Sequence, residues 1–165
     1  LICVWLPSQV VLRAPSLDGL IGEVRVTGRV KQPTSTFRKL LRDSVKEIDL
    51  VRDILALRVV FTPASDVLEQ LQGLRGATPR LNPMSAAEAE ALLCHGVHRQ
   101  LQRIWTEVPG RFKDFVRAPK ANGYQSIHTN MLLPDGRMFE VQIRSQAMHE
   151  KAEFGVAAHH RYRAT

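Results

Sequence analysis

The stretch YQSIHTNMLLPDGRMFEVQIR, residues 124–144, predicts a β-hairpin whose two faces differ in polarity. Its centre, Pro-Asp-Gly at 134–136, suits a three-residue loop made of a type I turn followed by a left-handed glycine. Such a loop pairs Leu133 with Arg137 and thereby sets the register of both strands. A two-residue loop would shift the pairing by one residue and mix polar with apolar side chains across the sheet.

This register separates the side chains by polarity, because successive residues of a strand point to opposite sides. The polar cross-strand pairs are His128 with Gln142, Asn130 with Glu140, and Ser126 with Arg144. The apolar residues on the other side are expected to face the core: Ile127, Met131, Phe139 and Ile143. A polar sheet face is usually only solvated. This one, with Tyr124 at its start, carries groups that can stack, donate, accept and hold charge, which predicts a binding platform.

The chain of 165 residues is 44% hydrophobic, which suits one ordinary domain with its own core. Its net charge of +7 and pI near 10.0 favour a polyanionic partner: nucleic acid, a nucleoside polyphosphate or an anionic membrane. Aromatic residues make up only 6%, which argues against stacking along a long single strand of nucleic acid.

The N-terminal apolar run, LICVWL, is too short to span a bilayer and lacks the basic flank of a signal peptide. We therefore expect no membrane association. The expected location is the cytoplasm, or an organelle stroma if a transit peptide has been removed.

The cysteines and histidines do not have the spacing of a metal site. Cys3 and Cys94 lie outside any CxxC or Cys/His pattern, so both are expected to be reduced, with Cys94 in the core. His149, His159 and His160 form no HExxH motif and are interpreted as residues of a helix surface.

Periodicity predicts the other elements. Alternation over 23–31 predicts a half-buried strand, and the β-branched run at 54–61 predicts a central strand. Ser85 and Glu88 have the spacing of a capping box and open a helix. Further expected elements are a helix after Pro33, a loop around Gly73 to Pro83, and a closing helix from about Gln146 to His159.

Two further groups of residues suggest phosphate and metal binding. Cations and a hydroxyl surround the start of the helix after Pro33, where free N–H groups bind phosphate oxygens well: Arg29, Lys31, Ser35 and Lys39. The same spacing also fits ordinary surface cations.

Asp53 comes just before the 54–61 strand, and Arg58 lies within that strand. A magnesium–nucleotide site needs carboxylates on rigid strands amid cations, because Mg²⁺ bridges protein oxygens to phosphate oxygens. Asp53 and Glu140 are the candidate pair, and the alternative for Asp53 is that it caps a turn.

Four motifs occur together: GRVKQPTSTFRKL at 28–40, DILALRVVF at 53–61, PGRFKDFVRAPKANGYQSIHT at 109–129 and EVQIRSQAMHEKAEFGVAAH at 140–159. In combination they resemble the synthetase domain of RelA/SpoT-type enzymes, which make (p)ppGpp, over roughly residues 22 to 163. RFKD within the third motif resembles the basic variant found in bifunctional members. The hydrolase half of those members is not expected in this chain, because the chain contains no His-Asp dipeptide.

The resemblance implies an α+β fold with a mixed β-sheet flanked by helices, similar to nucleotidyltransferases. This domain would cover residues 22–165, after a lead-in segment at 1–21. The implied activity is transfer of pyrophosphate from ATP to the 3′-hydroxyl of GDP or GTP, with Mg²⁺ as cofactor.

The resemblance also implies site residues. ATP would be bound by Arg29, Lys31, Ser35, Lys39 and Arg58. The catalytic and metal-binding residues would be Asp53 and Glu140, with Glu140 also accepting the proton of the 3′-hydroxyl. The guanine nucleotide would be bound by Lys120, Asn122, Tyr124, His128, Gln142 and Arg144, with Tyr124 stacking on the base.

The chain departs from the family pattern at several positions. The segment from about Thr62 to Ala91 is expected to be a longer loop than usual, and His95, Gln102 and His160 stand where the family usually has Tyr, His and Trp. None of these replaces a residue with an implied chemical role.

Two other functions stay open: a degenerate synthetase that only senses nucleotides, and a basic module that binds RNA or a ribosome. A carboxylate pair among the cations argues against the RNA module, because carboxylates repel phosphates unless a metal intervenes. The expected partners are ATP, GDP or GTP and other domains of a longer chain. Direct nucleic-acid binding is not expected.

Overall fold

The computed structural model of the chain describes residues 17–30, 55–74 and 84–155. Within these ranges it contains one six-stranded sheet and three helices. The strands are β1 (Ile21–Val30), β2 (Leu55–Pro63), β3 (Thr106–Glu107), β4 (Lys113–Asp114), β5 (Ile127–Leu132) and β6 (Met138–Ser145). The helices are α1 (Val67–Leu74), α2 (Ala86–Gln102) and α3 (Gln146–Phe154).

The sheet is mixed, with strand order β1-β2-β6-β5-β3 and β4 also paired with β5. β2 and β6 run parallel, and the other pairs are antiparallel. The predicted α+β class with a mixed sheet is confirmed, and β2, which begins at Leu55, lies inside the sheet as predicted for this part of the chain. In the described ranges, no helix has the length and apolar character needed to cross a membrane.

The hairpin has the predicted register. His128 pairs with Gln142 and Asn130 with Glu140. In the loop, the Leu133 N–H donates to the Arg137 carbonyl at 2.8 Å, and the Gly136 N–H donates to the Leu133 carbonyl at 2.9 Å. Gly136 has φ 81°, the left-handed conformation that the three-residue loop requires.

The strand-like run that starts at Tyr124 becomes regular only at Ile127. The preceding residues form a turn, in which Gly123 has φ 76° and Asn122 Oδ1 accepts a hydrogen bond from the Tyr124 N–H at 3.2 Å. Ser126 is buried and donates to the Ile143 carbonyl at 3.1 Å, so its hydroxyl does not lie on the open platform. Asx-turn chemistry overrides the alternating pattern here.

Helix α2 packs on the apolar side of the hairpin. It begins with the predicted capping box, since the Glu88 N–H donates to Ser85 Oγ at 3.2 Å and the Ser85 N–H donates to Glu88 Oε2 at 2.8 Å. Core residues from the helix and the hairpin are at most 1% exposed: Leu93, Val97, Leu101, Ile127, Val141 and Ile143. Burial of each such side chain contributes about 1.5–3 kcal/mol. Cys94 belongs to this core, and burial raises the pKa of its thiol far above the ordinary value.

The expected loop from about 62 to 91 is wrong in part, because α1 lies inside it and α2 begins before its end. Val67 is buried, and Leu68 and Leu71 pack against the core. This apolar spacing suits a helix, but the glycines and prolines that follow it obscured the pattern. Residues 75–83 lie outside the described ranges.

The ends of the chain are described only in part. Leu17 and Leu20, in the predicted lead-in segment, are buried in the core. The closing helix ends at Phe154, and residues 156–165 lie outside the described part of the chain, as does the helix predicted after Pro33.

Replacing Gly136 with Ala is expected to lower the free energy of unfolding by about 1–2 kcal/mol, because a Cβ is strained in the left-handed conformation. Urea denaturation measures the change. Gly73→Ala is the matched control, because a Cβ there meets no atom within 4 Å and Gly73 has an ordinary helical backbone. Equal urea midpoints for Gly136→Ala and wild type would contradict the account of the loop.

Candidate active site

Glu140 lies at the middle of the polar face of the hairpin. Its Oε1 is 2.8 Å from His128 Nδ1, and Gln142 Nε2 donates to its Oε2 at 3.1 Å. The neighbouring side chains of Phe139 and Val141 are buried in the core, so the strand is held firmly beneath it. The Glu140 side chain is 24% exposed, which leaves the oriented carboxylate accessible to a ligand.

His128 links Glu140 to Tyr124. The Tyr124 hydroxyl oxygen lies 2.8 Å from His128 Nε2, on the opposite edge of the imidazole from Glu140. Burial raises the pKa of the Tyr124 phenol, against a smaller opposing effect of the positive charge on Arg144. The phenol is therefore neutral and able to donate near pH 7.

Phe115 completes an aromatic group that sequence reasoning missed. Its ring lies edge-to-face against Tyr124, with centroids 6.2 Å apart, and against His128, with centroids 5.5 Å apart. Lys120 Nζ lies 4.6 Å from the Phe115 ring centroid and 5.2 Å from that of Tyr124. The available signal was the position of Phe115 directly after the RFKD element, in a segment that pairs with β5.

Asn122 shapes the loop that carries Lys120 and Tyr124. Besides the bond from the Tyr124 N–H to its side chain, the Lys120 N–H donates to the Tyr124 carbonyl at 3.2 Å, and the Gly123 N–H donates to the Lys120 carbonyl at 2.8 Å. The predicted nucleotide-binding residues of this loop are therefore brought together with His128 at one end of β5.

Arg58 and Arg144 lie under α3 and share one carboxylate. Glu153 Oε1 is 3.3 Å from Arg58 Nη1 and 3.1 Å from Arg144 Nη2. The Arg144 side chain is only 2% exposed, so the expectation that it lies open on the platform is wrong. The carboxylate partner of both arginines, Glu153, was missed because nothing local in the sequence links it to either of them.

His149 lies on α3 and is partly buried near these arginines. Burial lowers its pKa, and the positive charges of Arg144 and Arg58 lower it further. The described residues hold no group of three or more His, Cys, Asp or Glu side chains arranged for a metal ion.

The register aligns residues of the two predicted nucleotide sites across the sheet. One row runs Arg29, Ala56, Glu140, Asn130 over β1, β2, β6 and β5. The next row runs Thr27, Arg58, Gln142, His128. Arg29 and Glu140 are therefore two strands apart, roughly 10 Å between backbones. Lys31, Ser35, Lys39 and Asp53 lie outside the described residues.

A second polar network supports β5 from the α2 side. Glu107 accepts hydrogen bonds from Thr129, from Gln102 Nε2 at 2.6 Å and from His98 Nε2 at 2.8 Å. Burial alone would raise the pKa of Glu107, but these hydrogen bonds outweigh it and the pKa is lowered. Gln102, one of the departures from the family pattern, is thus part of the support for the strand that carries His128.

His95, another departure, supports the RFKD element. Its Nε2 lies 3.0 Å from Asp114 Oδ2, and burial lowers the His95 pKa despite this carboxylate. Asp114 Oδ1 accepts from the Val116 and Arg117 N–H groups, each at 3.0 Å. These contacts fix the turn that presents Phe115 to Tyr124.

The small alarmone synthetase 2 from Bacillus subtilis has a similar fold, with a TM-score of 0.51 at 19% identity over 93% of this chain and 70% of that chain. This likeness confirms the fold expected from the resemblance.

Curated relatives are similar at the level of sequence. The GTP diphosphokinase CRSH1, chloroplastic, of Oryza sativa subsp. japonica is 36% identical over 151 residues, which cover 89% of this chain and 23% of that protein. The GTP pyrophosphokinase of Myxococcus xanthus is 37% identical over 145 residues, 88% of this chain and 15% of that protein. The chain therefore spans less than a quarter of the length of either relative. The family described as the region found in RelA / SpoT proteins matches residues 28–165, and the chain belongs to this family.

Proposed function

We propose that this domain transfers pyrophosphate from ATP to the 3′-hydroxyl of GDP or GTP and so makes (p)ppGpp. The observation that carries the proposal is the Glu140 carboxylate, held at 2.8 Å from His128 and 3.1 Å from Gln142 on an accessible sheet face. The names of the relatives, GTP diphosphokinase and GTP pyrophosphokinase, support the same reaction.

The guanine nucleotide would bind at the β5 end of the polar face. Tyr124 offers a ring on which a purine base can stack, and Phe115 supports that ring from its edge. Lys120 places a positive charge next to these rings, where it can attract nucleotide phosphates. His128 then lies between Glu140 and Tyr124, on which the guanine base would stack, and is near the expected position of the ribose.

ATP would bind on the β1–β2 side. Arg29 occupies the same row as Glu140, and Arg58 the same row as Gln142, so the register supports two neighbouring nucleotides on one face. Lys31, Ser35 and Lys39 follow Arg29 in the family motif and would bind the phosphates. A triphosphate needs several cations, because each one offsets only part of its charge.

Glu140 would act as the base. A ribose hydroxyl is a poor nucleophile at neutral pH, and removal of its proton as it attacks lowers the barrier. The 3′-oxygen forms a bond to the β-phosphorus, the bond from that phosphorus to the α–β bridging oxygen breaks, AMP leaves, and Glu140 takes the hydroxyl proton. An ionised carboxylate only accepts hydrogen bonds and has about four lone-pair sites, so it can accept the hydrogen of a substrate hydroxyl.

The residues also fit a magnesium ion. Carboxylate oxygens are the ligands that Mg²⁺ prefers, and Glu140 presents an accessible carboxylate on a rigid strand. Asp53, which comes two residues before β2 in the sequence, would be the second ligand. When bound, Mg²⁺ would offset the charge on the phosphate oxygens.

The proposed function is tested by incubating the chain with Mg²⁺, GDP or GTP, and ATP labelled in its β and γ phosphates. Label that moves to the guanine nucleotide in proportion to released AMP is the expected result. Tight RNA binding without any transfer would contradict the proposal and favour a basic RNA-binding module. Nucleotide binding without transfer would favour a degenerate sensor.

Glu140→Gln is expected to lower turnover by at least about 10²-fold, the low end of the effect of a general base. The change keeps the size of the side chain and removes its charge and basicity. Glu150→Gln is the matched control, because Glu150 is exposed on α3 and contacts Gln146. A folded Glu140→Gln variant with near wild-type transfer would show that Glu140 is neither the base nor an essential metal ligand.

Tyr124→Ala is expected to raise the KM for GDP and GTP, because loss of one stacking partner costs about 1–3 kcal/mol. The affinity for ATP should stay nearly unchanged, since ATP is expected at the β1–β2 end of the same face. Steady-state kinetics with each nucleotide varied in turn measures both effects. An unchanged KM for the guanine nucleotides would show that Tyr124 is not the stacking residue.

Lys31→Ala and Lys39→Ala are each expected to weaken ATP binding, because each removes a cation from the predicted triphosphate site. Titration with a non-hydrolysable ATP analogue measures the affinity. Lys151→Ala, at an exposed position of α3, is the control for loss of a surface charge. Wild-type affinity in both variants would identify these lysines as ordinary surface residues.

A further inference from the structure

We propose that the Tyr124 hydroxyl is a positioning group for the catalytic base: it donates to His128 and holds the imidazole ring in the orientation in which Nδ1 donates to Glu140. This inference rests on the proposed function in one respect, namely that Glu140 is the group that receives the proton. It assigns two roles to Tyr124. The ring stacks on the guanine base, and the hydroxyl positions His128 for the Glu140 carboxylate.

The three groups form a continuous chain. The Tyr124 oxygen is 2.8 Å from His128 Nε2, and His128 Nδ1 is 2.8 Å from Glu140 Oε1. A neutral imidazole has one donor and one acceptor nitrogen, and an ionised carboxylate can only accept. Nδ1 must then carry the hydrogen, which leaves Nε2 to accept one from the phenol.

The protonation state of the Tyr124 phenol allows it to donate a hydrogen bond to His128. Burial raises the pKa of Tyr124, so its hydroxyl keeps its hydrogen at neutral pH and can donate to His128. Without that donor the carboxylate still favours the Nδ1–H tautomer, but the imidazole ring loses the hydrogen bond that orients it from the Nε2 side. The alternative tautomer would place a lone pair of Nδ1 against the lone pairs of the carboxylate.

Contacts at both ends hold the Tyr124, His128 and Glu140 side chains in place. Phe115 lies against the rings of both Tyr124 and His128, and its own N–H donates to the Ser126 carbonyl at 3.1 Å. At the other end, Gln142 Nε2 donates to the second oxygen of Glu140. Gln142 and His128 therefore both orient the carboxylate, and the donation from His128 depends on how the imidazole ring is held.

Two substitutions at one position separate the roles of the ring and the hydroxyl. Tyr124→Phe keeps the ring, so the KM for the guanine nucleotide should change by less than about twofold, while kcat falls roughly three- to tenfold, the effect of one hydrogen bond. Tyr124→Ala loses the ring as well and should also raise KM. A Tyr124→Phe variant with wild-type kcat would overturn the proposal.

A second readout does not depend on activity. ¹⁵N NMR of the histidine rings in the chain without nucleotide should show His128 protonated at Nδ1 in the wild type, with His128→Gln identifying its signals. In Tyr124→Phe, Nδ1 should stay protonated, and the Nε2 signal should shift because Nε2 no longer accepts a hydrogen bond from the phenol. An unchanged ring pattern in Tyr124→Phe, or Nε2–H in the wild type, would overturn the proposal. A wild-type chain that shows the Nδ1–H pattern but transfers no pyrophosphate would instead overturn the proposed function.

Discussion

The register of the β5–β6 hairpin decides which side chains meet on the polar face, because a shift of one residue would move every one of them to the opposite side. The three-residue loop enforces this register, with Gly136 at φ 81° and Leu133 bonded to Arg137. The apolar side of the same pairing, with Ile127 opposite Ile143, packs against α2 and makes any slip costly. The position of Glu140 beside His128 follows from this one constraint.

The parallel pairing of β2 with β6 extends this arrangement across the sheet. It places Ala56 beside Glu140 and Arg58 beside Gln142, and β1 then adds Arg29 to the first row. The backbone positions of Arg29 and Arg58 therefore share rows with those of Glu140 and Gln142, on strands that adjoin the hairpin. Helix α3 contributes Glu153, which pairs with Arg58 and Arg144 and reduces the repulsion between the two guanidinium groups.

Much of this could be predicted from the sequence, because the deciding signals are local. The hairpin register follows from Pro-Asp-Gly and the alternation around it, and the start of α2 follows from Ser85 and Glu88. The predictions that failed concern residues whose positions depend on contacts between distant segments of the sequence. Arg144 was expected on the platform because of its position in the strand, but its side chain is only 2% exposed and pairs with Glu153 of the next helix. Phe115 was missed because its role depends on ring contacts with Tyr124 and His128, which no spacing along the sequence indicates.

Helix α1 was missed for a different reason, since its apolar spacing at Val67, Leu68 and Leu71 is present but short and followed by loop-forming residues. The residue roles came from the family motifs rather than from the pattern of residues. From the pattern alone, a polar platform, a candidate carboxylate pair at Asp53 and Glu140 and nearby cations could be predicted, but not the identity of the two nucleotides.

A crystal structure of the chain with GDP, a non-hydrolysable ATP analogue and Mg²⁺ would test the central claim most directly. The account predicts that the guanine base stacks on Tyr124 and that the 3′-oxygen lies about 2.6–3.2 Å from a Glu140 carboxylate oxygen, within reach for proton transfer. A guanine nucleotide bound with its ribose away from the β5–β6 polar face, and its 3′-oxygen far from Glu140, would contradict it.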